Sequence, residues 1–324
     1  MIDLHLHLDG SLTPEDVLFL AKEQEIPLPE ASPETLRARM TVPADCQSLN
    51  DYLSSFDLPL SVLQSPRAVE YAVSSLLTRL ARQNIRYAEI RFAPQLHTQN
   101  GASQHEIVSA AVSGLRRGLH EEAIQAQLIL CCMRQSENLP ANLETAELAG
   151  EFLNHGVCAL DLAGAEALYP TAQFAAVFQR AERLGIPCTI HAGEADGPES
   201  IWAALELGAA RIGHGVRSIE DPRLMEVLAE RKIPLELCYT SNLQTKAVAA
   251  PDAFPLPAFL RHGICSTVNT DNMTVSDTTL AQEFDRLRKQ FQLSSQQEHT
   301  LLCNAARAAF LPEDQKQALL DSLP

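Results

Sequence analysis

Two histidines stand one residue apart at the start of the chain, in Ile2-Asp3-Leu4-His5-Leu6-His7-Leu8-Asp9-Gly10. Apolar and polar residues alternate there without a break. A period of two sends the two sets to opposite faces of a strand, so His5 and His7 share a face. Two imidazoles about 7 Å apart on a pleated face can close on one cation, and neutral imidazole suits zinc, copper, iron and nickel. An H-x-H can equally lie on a solvated strand face, so the pair needs partners from elsewhere. Three later stretches offer them: Thr189-Ile-His191-Ala-Gly-Glu194, Ile212-Gly-His214-Gly215 and Val268-Asn-Thr-Asp271-Asn272, each closing a short apolar run. His5, His7, His191 and Asp271 together would leave one position open for water, as a catalytic rather than a structural zinc requires.

Residues so far apart in sequence meet only if the fold gathers them. Short apolar runs recur at 2–8, 86–92, 127–132, 157–162, 186–190, 210–213, 233–238 and 264–268, with helical segments between most of them. One such helix opens on a capping box, Ser103 to Glu106, with Ile107, Ala111, Leu115 and Leu119 on one face. Eight strands alternating with helices predict an α/β fold, a closed parallel (β/α)8 TIM barrel. A doubly wound open sheet is the weaker alternative, because no glycine-rich phosphate loop follows the first strand. In a barrel all strand carboxyl ends share one rim, so the candidate residues would converge there.

The first crossover is too long for one helix. Residues 11–85 must form an inserted helical region: a helix capped by Thr13 with Pro14 in its first turn, a Pro- and acid-rich loop over 27–33, a segment over 49–63, and a helix capped by Ser65. In the third piece Tyr52, Leu53 and Phe56 form one apolar patch at helical spacing, either ordinary core or a lid over the site. With no repeat, low-complexity tract or linker, residues 1–324 read as a single domain that contains this insertion.

Composition narrows the partners. Of the 324 residues 46% are hydrophobic and 20% charged, and the formal net charge is −16, which disfavours nucleic acid and anionic membranes. No apolar run reaches the length of a membrane span, and the chain opens directly on a strand, so a cytoplasmic protein is expected. The eight cysteines fall mostly in apolar runs and form no C-x-x-C, which predicts reduced, buried thiols.

Six pieces in order along the chain resemble the adenosine deaminase family, the adenosine/AMP deaminase group of metal-dependent hydrolase barrels. They are His5-Leu-His7-Leu-Asp9-Gly-Ser11, Asp161-Leu-Ala-Gly164, His191-Ala-Gly-Glu194, Gly213-His214-Gly215, Thr240-Ser-Asn-Leu-Gln-Thr-Lys246 and Asn269-Thr-Asp271-Asn272. The resemblance implies one Zn2+ per chain on His5, His7, His191 and Asp271. It also implies hydrolytic deamination of adenosine and 2′-deoxyadenosine to inosine-type products and ammonia, by attack of zinc-bound hydroxide on purine C6. Glu194 is implied as the proton donor to the ring nitrogen N1, His214 as the group that orients the attacking water and can take its proton, and Asp271 as both ligand and acceptor. Substrate contacts are implied for His7, Asp9 (ribose 5′-hydroxyl), Gly164 (backbone N–H to N3), Asn272 (N7), and Tyr52 and Phe56 as an apolar flap. Ser241 and Asn242 would support the site from behind.

One departure concerns Asn272, where many family members carry a second Asp. A carboxyl must be protonated to donate to N7, whereas an amide always has N–H to give. The competing readings are an adenine deaminase, a deaminase of another adenosine-like nucleoside such as a futalosine precursor or a 5′-thioadenosine, and a catalytically dead nucleoside-binding protein. A zinc site built on H-x-E and P-C-x-x-C is excluded by the absence of C-x-x-C.

Overall fold

A computed structural model describes residues 1–28 and 32–323, so residues 29–31 of the loop expected over 27–33 lie outside the described residues. Eight parallel strands run in chain order: β1 Ile2–His7, β2 Tyr87–Phe92, β3 Gln125–Arg134, β4 Val157–Gly164, β5 Thr189–Ala192, β6 Arg211–His214, β7 Leu235–Leu237 and β8 Ser266–Val268. They pair as two sheets, β1 to β4 and β5 to β8, each strand beside its sequence neighbour. Single bridges join the sheets at both seams, Leu160 with Cys188 and Leu6 with Asp271. At the second seam His7 N–H donates to Asp271 C=O at 2.7 Å and Asp271 N–H to His5 C=O at 2.8 Å. The two four-stranded sheets are arranged as in a (β/α)8 barrel with only these single bridges across the seams, and the segment after β8 is tied to the strand that carries two of the histidines.

The alternation in β1 divides as its residue types require. Ile2 and Leu4 pack outward against Ala305, Ala306 and Ala309 of the helix Ser295–Ala308, while Asp3 and His5 are fully buried inside the ring. Several strands are shifted from the apolar runs that announce them. The run at 186–190 joins the sheet only from Thr189, because Pro187 has no N–H to give a ladder, although its carbonyl accepts from Leu160 N–H at 3.0 Å. The third strand is longer than its apolar run, Gln125–Arg134, since its polar ends still pair in register with the neighbours.

The insertion is helical, as expected. Thr13, Ser32, Ser48 and Ser65 each cap a helix start through the side-chain oxygen. Its middle piece runs as Leu49–Leu53, a tight turn at Ser54–Phe56 and Asp57–Val62. This piece sits over the carboxyl rim: Tyr52 is buried with Cys46 and Val275, and its hydroxyl lies 2.7 Å from Ser276 Oγ. Among the described residues no helix is long and apolar enough to cross a membrane. All eight cysteines are free, and six of them are buried.

Candidate active site

His5 and His7 leave β1, His191 leaves β5, and Asp271 follows β8; one donor atom from each lies within 4.8 Å of the other three. His7 Nε2 and His191 Nε2 are 3.2 Å apart, and Asp271 Oδ1 is 3.4 Å from His5 Nε2 and 3.5 Å from His7 Nε2. His5 Nε2 is buried and makes no hydrogen bond. Behind the ring nitrogens stand carboxylates: His5 Nδ1 is 2.8 Å from Glu236, and His191 Nδ1 is 3.1 Å from Asp161 Oδ1. Each carboxylate takes the Nδ1–H, which leaves the Nε2 lone pair of the same ring pointing at the common centre. Burial pushes His7 well below the ordinary imidazole value and lowers His191, so these two rings are neutral. Three imidazole nitrogens and one carboxylate oxygen converging on a common centre fit a divalent cation of the zinc type.

The carboxylates are held in turn by arginines. Arg91 donates to Asp161 at 2.9 Å and to Glu236 at 2.9 Å, and Arg211 donates to Glu236 at 2.6 Å and to Glu89 at 2.5 Å, with every one of these side chains buried. The barrel floor under the site is an ion-pair network rather than a layer of aliphatic side chains. His191 and Arg91 hold the Asp161 carboxyl well below the usual carboxylate range against the effect of burial.

Glu194 and His214 lie beside the cluster, with Glu194 Oε2 3.5 Å from His214 Nε2. Burial first, and then the carboxylates of Asp271 and Glu166, push the Glu194 carboxyl well above its ordinary value, which favours its protonated form. Burial holds His214 well below its own, and Asn242 Nδ2 sits 2.9 Å from His214 Nδ1. With the amide donating to Nδ1, the ring proton is on Nε2, the atom that faces Glu194. His214 and Asp271 both adopt left-handed backbone conformations, each with φ of 60°. Non-glycine residues rarely do so, and here the turn directs both side chains back into the barrel mouth.

The cavity over this cluster is lined by His7, His191, Glu194, His214, Asp271 and Asn272 on its floor and by Leu49, Tyr52, Leu53 and Phe56 on its roof. The apolar patch of the insertion is therefore a cover for the site as well as part of a small core. Gly164 lines one wall with φ of +104°. Asp9 is buried close by, with its carboxyl raised to about 6 by burial, yet it is not among the lining residues. Ser241 is buried with its hydroxyl unpartnered.

Sequence reasoning missed Ala93, Cys131, Met133 and Ala163 of the lining, and Asp161, Glu236 and Glu166 behind it. Small and apolar wall residues carry no chemical signal. Asp161 and Glu236 did carry one, as isolated carboxylates inside otherwise apolar strands.

Comparison with known proteins places the whole chain among related sequences. A family model described as adenosine deaminase matches residues 1–324. The adenosine deaminase of Haemophilus ducreyi is 52% identical over 324 residues, which is 99% of this chain and 94% of that protein. Among solved structures, an adenine deaminase from Arthrobacter aurescens superposes with a TM-score of 0.90 at 29% identity, covering 99% of this chain and 96% of the other. An N6-methyl-AMP deaminase from Arabidopsis thaliana superposes at 0.85 with 26% identity and coverage of 99% and 96%.

Proposed function

The chain belongs to the adenosine deaminase family, and from that premise we propose that it is a hydrolase acting on the C–N bond at purine C6, converting adenosine and 2′-deoxyadenosine to inosine-type products and ammonia with one zinc ion per chain. The observation that carries the reading is the convergence of His5, His7, His191 and Asp271 beside the buried Glu194 carboxyl. When bound, the cation supplies the Lewis acidity that makes a water nucleophilic near neutral pH.

The chain's own groups supply the rest. Addition at C6 breaks the aromaticity of the six-membered ring and sends an electron pair to N1, which is stabilised when N1 gains a proton, and Glu194 is the buried acid able to give it. His214, with its Nε2–H toward the cavity, orients the attacking water, and Asp271 accepts from that water on the other side. Asn272 has its amide oxygen buried against Gly10, which leaves its N–H end for the N7 acceptor. Tyr52 and Phe56 exclude solvent from above, which strengthens every polar contact below them.

Nucleoside is favoured over nucleotide. Among the described residues no Lys or Arg lines the cavity, while the carboxyl groups of Asp271 in it and Asp9 beside it are acidic, so a 5′-phosphate would meet negative charge and no counter-ion. The structural likeness to an adenine deaminase keeps the free base as the second reading. Steady-state rates on adenosine, 2′-deoxyadenosine, adenine, a 5′-thioadenosine and AMP, followed by the absorbance change on loss of the 6-amino group, decide between them. Adenosine is expected to have the highest kcat/KM, and adenine as the best substrate would overturn the assignment. Metal analysis should return one zinc per active chain; a chain that binds nucleoside without turnover would instead be a binding protein.

A further inference from the structure

Glu166 lies two residues past the end of β4 and is 1% exposed. Its carboxylate collects five hydrogen bonds, all from one short stretch of chain. Oε1 accepts from Gly193 N–H at 2.7 Å and from Ser200 Oγ at 2.5 Å, and Oε2 accepts from the N–H groups of Glu194 at 3.0 Å, Ala195 at 2.7 Å and Asp196 at 3.1 Å. Four successive N–H groups converge on one point because the chain turns through a left-handed Gly193, with φ of +71°, before the helix Pro198–Glu206 begins. Such a concave run of N–H groups is an anion cradle, and here the anion is supplied by the protein itself.

We propose that Glu166 is a positioning residue for the proton donor: by gathering the backbone of residues 193–196 it fixes where the Glu194 carboxyl sits over the substrate ring. The same stretch is held from its other end by Arg134, which donates to the His191 carbonyl at 2.6 Å and to Thr171 Oγ1 at 2.9 Å, while Thr171 Oγ1 lies 2.7 Å from Ser200 Oγ. His191 and Glu194 therefore have separate anchors. The metal ligand is set by its strand, Asp161 and Arg134, whereas the acid is set by Glu166 alone among the described side chains that bond the 193–196 backbone. Loss of Glu166 would loosen the donor without dismantling the cation site. The inference rests on Glu194 being the proton donor, as proposed above.

The test is a double-mutant cycle in the zinc-loaded enzyme. Glu166→Gln nearly keeps the shape but turns an –NH2 toward N–H donors, so the cradle must open. Misplacement of a reacting group by about 1 Å costs about 100-fold, and that loss is expected in kcat with KM and zinc content unchanged. In a Glu194→Gln background the same change should cost less than about threefold, since the group it positions is gone. Backbone hydrogen exchange over 193–196 should quicken in Glu166→Gln while the strand residue His191 keeps its protection. Equal losses in both backgrounds, or a parent-like kcat in Glu166→Gln, would overturn the inference. Normal turnover by Glu194→Gln alone would instead remove the donor assignment on which it rests. If Glu166→Gln does not fold, Ser200→Ala removes one of the five donors more gently. A kcat reduced about threefold or more with KM unchanged supports the inference, and a parent-like kcat in that variant refutes it.

Discussion

Glu236, on the seventh strand, holds His5, on the first, through a 2.8 Å contact between its Oε2 and the histidine Nδ1, reaching past β8 inside the barrel floor. That carboxylate also accepts from Arg91, Arg211 and Thr189, and is held well below its ordinary range by the two arginines against the effect of burial. In Glu236→Gln the tautomer of His5 is no longer imposed, and removing a carboxylate behind a ligand histidine lowers metal affinity about 10- to 100-fold. The two buried guanidinium groups also lose a partner, at a cost of about 3–5 kcal/mol. Chelator competition for zinc and a thermal melt of the loaded protein should show both losses. A parent-like metal affinity would mean that Glu236 serves the core and not the ligand.

Glu194 is not among the four residues whose donor atoms cluster as a cation site, and its Oε1 is buried without a hydrogen-bond partner among the described residues. Glu194→Gln keeps the shape and removes the transferable proton. Zinc content is expected to match the parent while kcat falls by about 10²- to 10⁴-fold, the usual contribution of a general acid. Zinc per chain and steady-state rate are measured on the same sample. Normal turnover at full zinc would show that another group protonates the ring.

How much of this was legible before any coordinates differs by residue. The candidate ligands His5, His7, His191 and Asp271 could be read because they stand at the ends of apolar runs, and barrel topology then forces such ends to one rim. The position of β5 could not be read as closely, because an apolar run does not reveal where Pro187 delays the ladder. The left-handed turns at His214 and Asp271 have no local signature, since neither is a glycine. Glu166 was invisible for a related reason. A carboxylate in a loop looks solvated, and its partners are backbone N–H groups, which every sequence has. The role of the Tyr52 patch stayed open until its hydroxyl was seen on Ser276, next to the ligand loop, because core packing and a lid use the same periodicity.

Gly10 is needed for the room it leaves. A Cβ there would stand 1.9 Å from Asn272 Oδ1 and 2.8 Å from Asn272 Cβ. Gly10→Ala should therefore push the amide out of its place over the ring, raising KM for adenosine with little change in zinc content. Overpacking at such a site costs about 1–3 kcal/mol of stability. Kinetics and metal analysis of the variant check it, and an unchanged KM would show that Asn272 does not touch the base.

His97 offers a pH test that is independent of the cation. It is fully buried at the foot of the insertion, with Nδ1 3.1 Å from the Leu63 carbonyl and Nε2 unpartnered, and burial lowers it to about 4. In the unfolded chain the same ring titrates near 6.5, so between about pH 6.5 and 4 the unfolded state binds the extra proton. Stability from keeping His97 neutral is thus complete above about pH 6.5 and is lost as pH falls toward 4, a span worth about 3 kcal/mol. Asp3 and Asp9, both raised to about 6 by burial, act the other way: each favours the folded state at low pH and loses that contribution as pH rises through 6. The parent curve sums these opposed effects, so the informative quantity is the difference between parent and His97→Gln at each pH. His97→Gln is less stable than the parent at pH 7 for want of a matched ring, and its deficit should shrink by up to about 3 kcal/mol as pH falls to 4, because only in the parent does unfolding release an imidazole that takes up a proton. Denaturant unfolding of both proteins at matched pH values measures the difference directly. A gap that stays constant from pH 7 to pH 4 would mean that the ring is hydrated in solution and that the contact between the insertion and the loop after β2 is open.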